Sequence, residues 1–514
     1  MVSLGGNAFY SCSALTNAII GNSVNNIGTS EFYNCPKLIA IIIPNSVTNI
    51  GNFAFQSCSN LISMTIPNSV LNIGSVAFYS CTKLNAITIP NSVISIGINA
   101  FVGCTNLASV TSDMTTIGSY FSGLTGLKNL MIGGDALNIV PSAFQSCSSL
   151  TNVTIGSGVT NIGSSAFQSC AVLRSITIPD SVVNIGTSAF QSCSSLANAT
   201  IGNGVTNIGT TAFELCTSLT NVTIGNSVIN IGNSAFWDCP ELTAITIPNS
   251  VTNIGNYAFE DDFSLAGVMI GNSVANIGYD AFTDCSRLTN ISVATLNPNY
   301  TSSAGILFDK AMDTLIQCPI GKTGSYVIPN SVTTISYHGF YLSSLTNITI
   351  PNSVTYIGSW AFLQCSGLTS ITIPNSVTVI GINAFQNCTH LTNIYFLGNA
   401  PPNNEFFDGD SCSVYYLPGT TGWGANFGGA PTVQWYQPNP LILGNGDGLG
   451  VNTNGFSFTI SWATNVPVVV EACTNLAIPV WLGIQTNNLS NGSSYFSDPQ
   501  WTNYLGRFYR VRSL

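Results

Sequence analysis

Residues 242–265 read Leu242-Thr-Ala-Ile-Thr-Ile-Pro-Asn-Ser-Val-Thr-Asn-Ile-Gly-Asn-Tyr-Ala-Phe-Glu-Asp-Asp-Phe-Ser-Leu265, and Leu265 reopens the pattern that Leu242 began 23 residues earlier. Ile245 and Ile247 alternate with polar neighbours at the two-residue period of a strand that buries one face. Pro248-Asn249-Ser250 is a turn signal, because proline pre-sets φ and asparagine favours a bend. Gly156, Gly202, Gly225 and Gly271 take the proline position in other units. Val251 and Ile254 form a second short apolar stretch, and Gly255 allows the corner that follows. Ala258-Phe259, with the residue three places further on, read as a tight helical or 3-10 turn. A unit repeated at such a fixed period makes a solenoid, in which each turn stacks only on its neighbours.

The period extends in both directions. Cys12, Cys35, Cys58, Cys81 and Cys104 lie 23 residues apart, as do Cys147, Cys170, Cys193, Cys216 and Cys239. Cys285, Cys365 and Cys388 rejoin the frame, so thirteen of the sixteen cysteines share one column. A phenylalanine column runs beside it through sixteen units from Phe9 to Phe385. One unit is shortened, with only 20 residues from Phe101 to Phe121 and Leu124 in the cysteine slot. Asp262 and Ser343 fill that slot in two others.

The consensus L-x-x-I-x-I-P-x-S-V-x-x-I-G-x-x-A-F-x-x-C resembles the BspA-type leucine-rich repeats of bacterial surface proteins, over about residues 1–400. The resemblance implies a right-handed solenoid outside the cell that attaches to proteins or surfaces, and no defined site comes with it. The expected fold is therefore a repeat solenoid of leucine-rich-repeat type, mostly β with short helical or 3-10 turns, plus a small C-terminal all-β, sandwich-like domain. The array is expected over residues 1–290 and again over 329–398. A β-hairpin interruption falls at 291–328, where Gly305–Phe308 and Thr314–Cys318 flank Asp309–Asp313. Residues 399–436 are an aromatic, Gly-rich capping segment, since a solenoid end must cover its last apolar face. Residues 437–450 are a Pro/Gly-rich linker. Strand patterns at Phe456–Trp462, Val468–Glu471, Trp481–Ile484 and Phe508–Val511 make 451–514 a C-terminal β-domain resembling modules of secreted bacterial proteins.

Charged residues are only 6% of the chain, and Asn, Ser, Thr and Gly fill surface positions in their place. A net charge of −10 with ten basic residues leaves no cationic stripe for phosphates, which excludes a nucleic-acid partner. No stretch approaches the roughly 20 apolar residues of a membrane span. The N-terminus, MVSLGGNAFYSCSAL, shows no leader and opens partway through a repeat. The expectation is a truncated start on a protein that is extracellular or on the cell surface.

Four groups of residues could carry chemistry. The cysteines lack the close pairs of a zinc site. Stacked neighbours could reach disulfide distance but would pair arbitrarily, so the column reads as buried packing. Cys318, Cys412 and Cys473 lie off it. The two histidines, His338 and His390, sit in different repeats without a carboxylate beside them, and no catalytic residue, cofactor or enzyme activity is expected. Asp238, Asp261 and Asp284 stack at intervals of 23 within a stretch, 214–284, that holds eight of the twenty acids. Such an edge either splays into water or holds Ca²⁺.

The last group is a threonine column at the outward position between the final two apolar strand residues. It includes Thr154, Thr177, Thr200, Thr223 and Thr246, with Met131, Met269 and Tyr395 in the same place in other units. These eight are the expected partner-binding residues for a protein or glycan ligand. The alternative is sheet-forming sequence alone, since threonine favours strands.

Overall fold

The computed structural model describes residues 2–3, 5–402, 405, 407, 411–436, 439–443, 449–452, 455–462, 464 and 466–513. They form two compact units, Met1–Asn299 and Tyr300–Leu514.

In the first unit a typical turn supplies two short strands. Ser175–Ile178, Asn198–Ile201 and Asn221–Thr223 pair in parallel at an offset of one repeat, with Ile176 opposite Ala199 and Thr177 opposite Thr200. A second set of two-residue strands forms an eight-stranded parallel sheet from Thr116–Ile117 to Asn276–Ile277. The alternation is visible in burial: Ile176 and Ile178 are buried while Ser175 and Thr177 are exposed. Between the strand sets the phenylalanine rings form one stack from Phe9 to Phe282, with successive centroids 5.1–5.7 Å apart. The shortened unit keeps its place, with Phe101 and Phe121 at 5.3 Å and a 21° tilt.

Two expectations about the backbone need correction. The Ala-Phe-x-x-Cys segment is neither helical nor 3-10 in the regular units. Ser165 and Ser169 flank Phe167 in left-handed backbone, with φ of 54° and 60°. This alternation turns every second amide toward the next repeat: Ser165, Phe167 and Ser169 donate to the carbonyls of Thr187, Ala189 and Gln191, each at 2.8 Å. A helix would have spent those amides within its own turn. A 3-10 helix occurs in the shortened unit, at Ser119–Phe121. Gly255, in turn, is required by close approach and not by its φ. A Cβ there would lie 2.5 Å from the backbone nitrogen of Asn233 in the preceding turn.

The second unit has two sheets of solenoid type. One runs Tyr300–Ser303, Ile306–Asp309, Thr314–Gln317, Thr334–Ile335, Tyr356–Ile357 and Val379–Ile380, and its first three strands pair antiparallel. The other contains Gly324–Val327, Leu345–Thr349, Ser370–Ile373, Asn393–Phe396, Ser413–Tyr416, Ala430–Gln434 and Asn426–Phe427. Trp423 packs on Phe396, Tyr416 and Phe427 with centroids 5.0, 5.3 and 4.9 Å away. Further along, Gly455–Ser461 pairs antiparallel with Leu441–Leu443, Gly450–Asn452 and Ser493–Asp498. Pro467–Cys473 pairs antiparallel with Leu482–Asn488 and Phe508–Ser513. Phe458, Ile460, Val468, Val470 and Phe496 of these strands are buried together with Leu489, which follows Leu482–Asn488. No helix among the described residues is long and apolar enough to cross a membrane.

Candidate binding face

The cysteine column does more than fill space. From Cys35 onward each column thiol donates to a phenylalanine carbonyl in the preceding turn, as Cys58 to Phe32 at 3.0 Å, Cys81 to Phe55 at 3.1 Å, Cys193 to Phe167 at 3.2 Å and Cys388 to Phe362 at 3.0 Å. The Phe55 carbonyl also accepts the Cys58 amide at 3.1 Å, so both of its lone pairs are used. Burial pushes the thiols of Cys104, Cys147 and Cys193 up to about 12, which keeps these three protonated donors. All sixteen cysteines are free, with Cys318, Cys412 and Cys473 buried as well. Asp262 occupies the slot fully buried. Its Oδ1 accepts the Cys239 amide at 2.8 Å, its Oδ2 has no partner, and burial raises its carboxyl far above the usual range.

The acidic column does not form a cation site. Among the described residues no group of three or more His, Cys, Asp or Glu side chains could hold a metal ion. Asp238, Asp261 and Asp284 have φ of 54°, 62° and 57°. They stand where Ser169 and Ser192 stand in other turns, and aspartate tolerates this left-handed backbone better than most residues. Asp261 accepts the Trp237 indole N–H at 3.1 Å. Glu260 is raised to about 7, by burial first and then by the charges of Asp261, Asp280 and Asp284. The histidines keep separate company. His338 packs on Tyr337 and Tyr341 with centroids 4.0 and 4.7 Å away, and His390 is exposed beside Thr389.

The outward row is exposed. Thr154, Thr177, Thr200, Thr223 and Thr246 all face solvent, with Met131 52% and Met269 48% exposed. Register pairs Met131 with Thr154, Thr177 with Thr200, Thr200 with Thr223, and Thr246 with Met269. Flanking asparagines tie the same strands together: Asn152 donates to Asn129 at 2.8 Å and Asn221 to Asn198 at 3.0 Å. Tyr395, the last of the expected binding residues, is half-buried and belongs to the second unit, opposite Thr372. Its neighbour in register is Tyr415, which the repeat frame does not reveal because only 20 residues separate them. Trp435, with its centroid 4.4 Å from Tyr395, is likewise invisible in a frame of 23. The only signal for either was the density of aromatic residues after Leu391.

No curated protein matches the chain at a significant level. Among solved structures it is similar to a leucine-rich repeat protein from Bacteroides ovatus, with 28% identity over 73% of this chain and 83% of that one and a TM-score of 0.44. A leucine-rich cell surface protein from Faecalibacterium prausnitzii shares 23% identity over 78% of this chain and 81% of that one, with a TM-score of 0.35. The pneumococcal vaccine antigen PcpA shares 18% over 65% and 78%, with a TM-score of 0.40. The family model for the BspA type leucine rich repeat region matches residues 2–124, 71–197, 115–243, 184–304 and 320–413. With most of its length matched and its Leu, Ile, Phe and Cys positions stacked turn on turn, the chain belongs to the BspA-type leucine-rich repeat family.

Proposed function

We propose that this chain is a non-enzymatic binding or adhesion protein, carried outside the cell or on its surface, whose strand face is the scaffold for a protein or glycan partner. One observation carries the reading: a solvent-exposed, uncharged row of residues held in register by the strands beneath it, as at Thr177, Thr200 and Thr223. Threonine is stiff at χ1, so little side-chain entropy is lost when a partner orders the row. Each hydroxyl offers one donor and two acceptor sites. Membership of a repeat family supports a scaffold role, and the surface location named for one similar structure is consistent with display outside the cell.

A second reading, a structural envelope component built by lateral packing, is favoured by the near-identity of the repeats, since identical faces offer little to distinguish partners. Purified protein on a combined protein and glycan array separates the two. Selective retention of a small set of ligands is expected. Concentration-dependent filaments or sheets with no retained ligand would favour the envelope reading, and turnover of a substrate would overturn both.

A further inference from the structure

In the second unit's seven-stranded sheet the exposed row passes from hydroxyls into rings. Val327, Thr349, Thr372, Tyr395, Tyr415 and Val433 are successive register partners on adjacent strands. Tyr395 and Tyr415 stack at 4.9 Å with a 26° tilt, and Trp435 lies 4.4 Å from Tyr395 at 48°. All three rings are half-buried, so each keeps some of its surface in water. Two residues before the rings on their own strands, Asn393 and Ser413 form a neighbouring polar row, in register with Ser370. The strands that carry these residues contain no Asp, Glu, Lys, Arg or His.

We propose that this end of the sheet binds a neutral polysaccharide, with Tyr395, Tyr415 and Trp435 as the stacking anchor and Thr372, Asn393 and Ser413 as hydrogen-bonding partners. The proposal rests on the binding-protein reading and names a ligand class for the second unit's own strand face. Charge supports it, since a ligand with ionic groups would find no counter-charge on these strands and would lose hydration without compensation. Aromatic side chains are strong anchors because they present rigid area at little entropic cost. The C–H faces of a pyranose suit the negative face of such a ring. A sugar ring is also about as long as the spacing of adjacent strands, about 4.8 Å. A polymer laid across the strands therefore places successive sugars over successive side chains. A proline-rich peptide also stacks on aromatic rings, but it presents few donors to a polar row that offers both donors and acceptors.

The test uses the full chain in affinity electrophoresis against a β-glucan, a xylan, a galactomannan and a dextran. Calorimetry follows with oligosaccharides of graded length from any polymer that retards it. Retardation by at least one of these neutral polymers is expected, with affinity rising with oligosaccharide length. Tyr395→Thr, which installs the residue the row carries one turn earlier, and Trp435→Ala should each weaken binding at least tenfold with unchanged thermal unfolding. Retention of full affinity by Tyr395→Thr, binding of a proline-rich peptide at these rings in place of sugar, or retardation by none of the polymers would overturn the proposal. An array that returns a protein ligand and no sugar would remove this proposal and leave the binding-protein reading standing.

Discussion

At Phe236 the ring is fully buried between Phe213 and Phe259, at centroid distances of 5.2 and 5.3 Å. Truncation leaves a hole that two flanking turns cannot close without losing their own stack. Phe236→Ala should therefore cost about 3–5 kcal/mol in denaturant unfolding. The sulfur column is held by bonds to carbonyls and not by cross-links, so thiol titration of the denatured, unreduced chain should find close to all sixteen cysteines free. Asp262 adds a pH dependence whose sign follows from its surroundings. Its carboxyl is raised in the folded state, so the folded chain holds a proton that the unfolded chain releases near the ordinary aspartate value of about 4. Its stabilising contribution is complete below that value and is lost as pH rises toward the folded pKa, by up to about 1.4 kcal/mol per pH unit. Glu260, raised to about 7, adds loss of the same sign. Asp262→Asn keeps an acceptor for the Cys239 amide and supplies a permanent donor for the unpartnered side. Thermal unfolding of that variant between pH 4 and 7 should show a shallower decline than the parent, and an equal decline would show that Asp262 does not carry the proton.

The strands depend on how closely consecutive turns approach. A Cβ on Gly232 would stand 2.6 Å from the Thr210 amide nitrogen, so Gly232→Ala must push adjacent turns away from each other and should cost about 1–3 kcal/mol by the same unfolding measurement. Such contacts were only half legible in the sequence. Gly255 and its equivalents were visible as a column, but a column does not say whether the backbone needs an unusual φ or the neighbouring turn needs the space. The strand positions were legible because Ile176 and Ile178 follow a period of two and the unit a period of 23. The turn was misread as helical because Ala-Phe-x-x-Cys has the spacing of one helical turn. The left-handed residues that break the helix, Ser165 and Ser169, carry no obligatory glycine to announce them. The thiol-to-carbonyl bonds were missed for a related reason, since their acceptors are backbone atoms 26 residues away and no side-chain pattern marks them.

For the molecule as a repeat protein, stability is close to a sum of turn and nearest-neighbour terms, which leaves the outward strand face free to vary at little cost. That freedom is why the sequence shows where a face lies and not what it binds. Thr177, Thr200 and Thr223 suit both a sheet and a partner, and only their exposure in one register row sets them apart from buried strand residues. Tyr415 and Trp435 read only as part of the aromatic capping segment 399–436, and their place beside Tyr395 is hidden because they follow a break in the period. Docking of partners on this outward row is probed by the affinity of the triple variant Thr177→Lys, Thr200→Lys, Thr223→Lys for whichever ligand the array returns to the first unit. At least a tenfold loss of affinity is expected, with stability within about 0.5 kcal/mol of the parent because the substitutions lie on a solvated face. Unchanged affinity for every such ligand would refute docking there and would make the threonine row sheet-forming sequence alone.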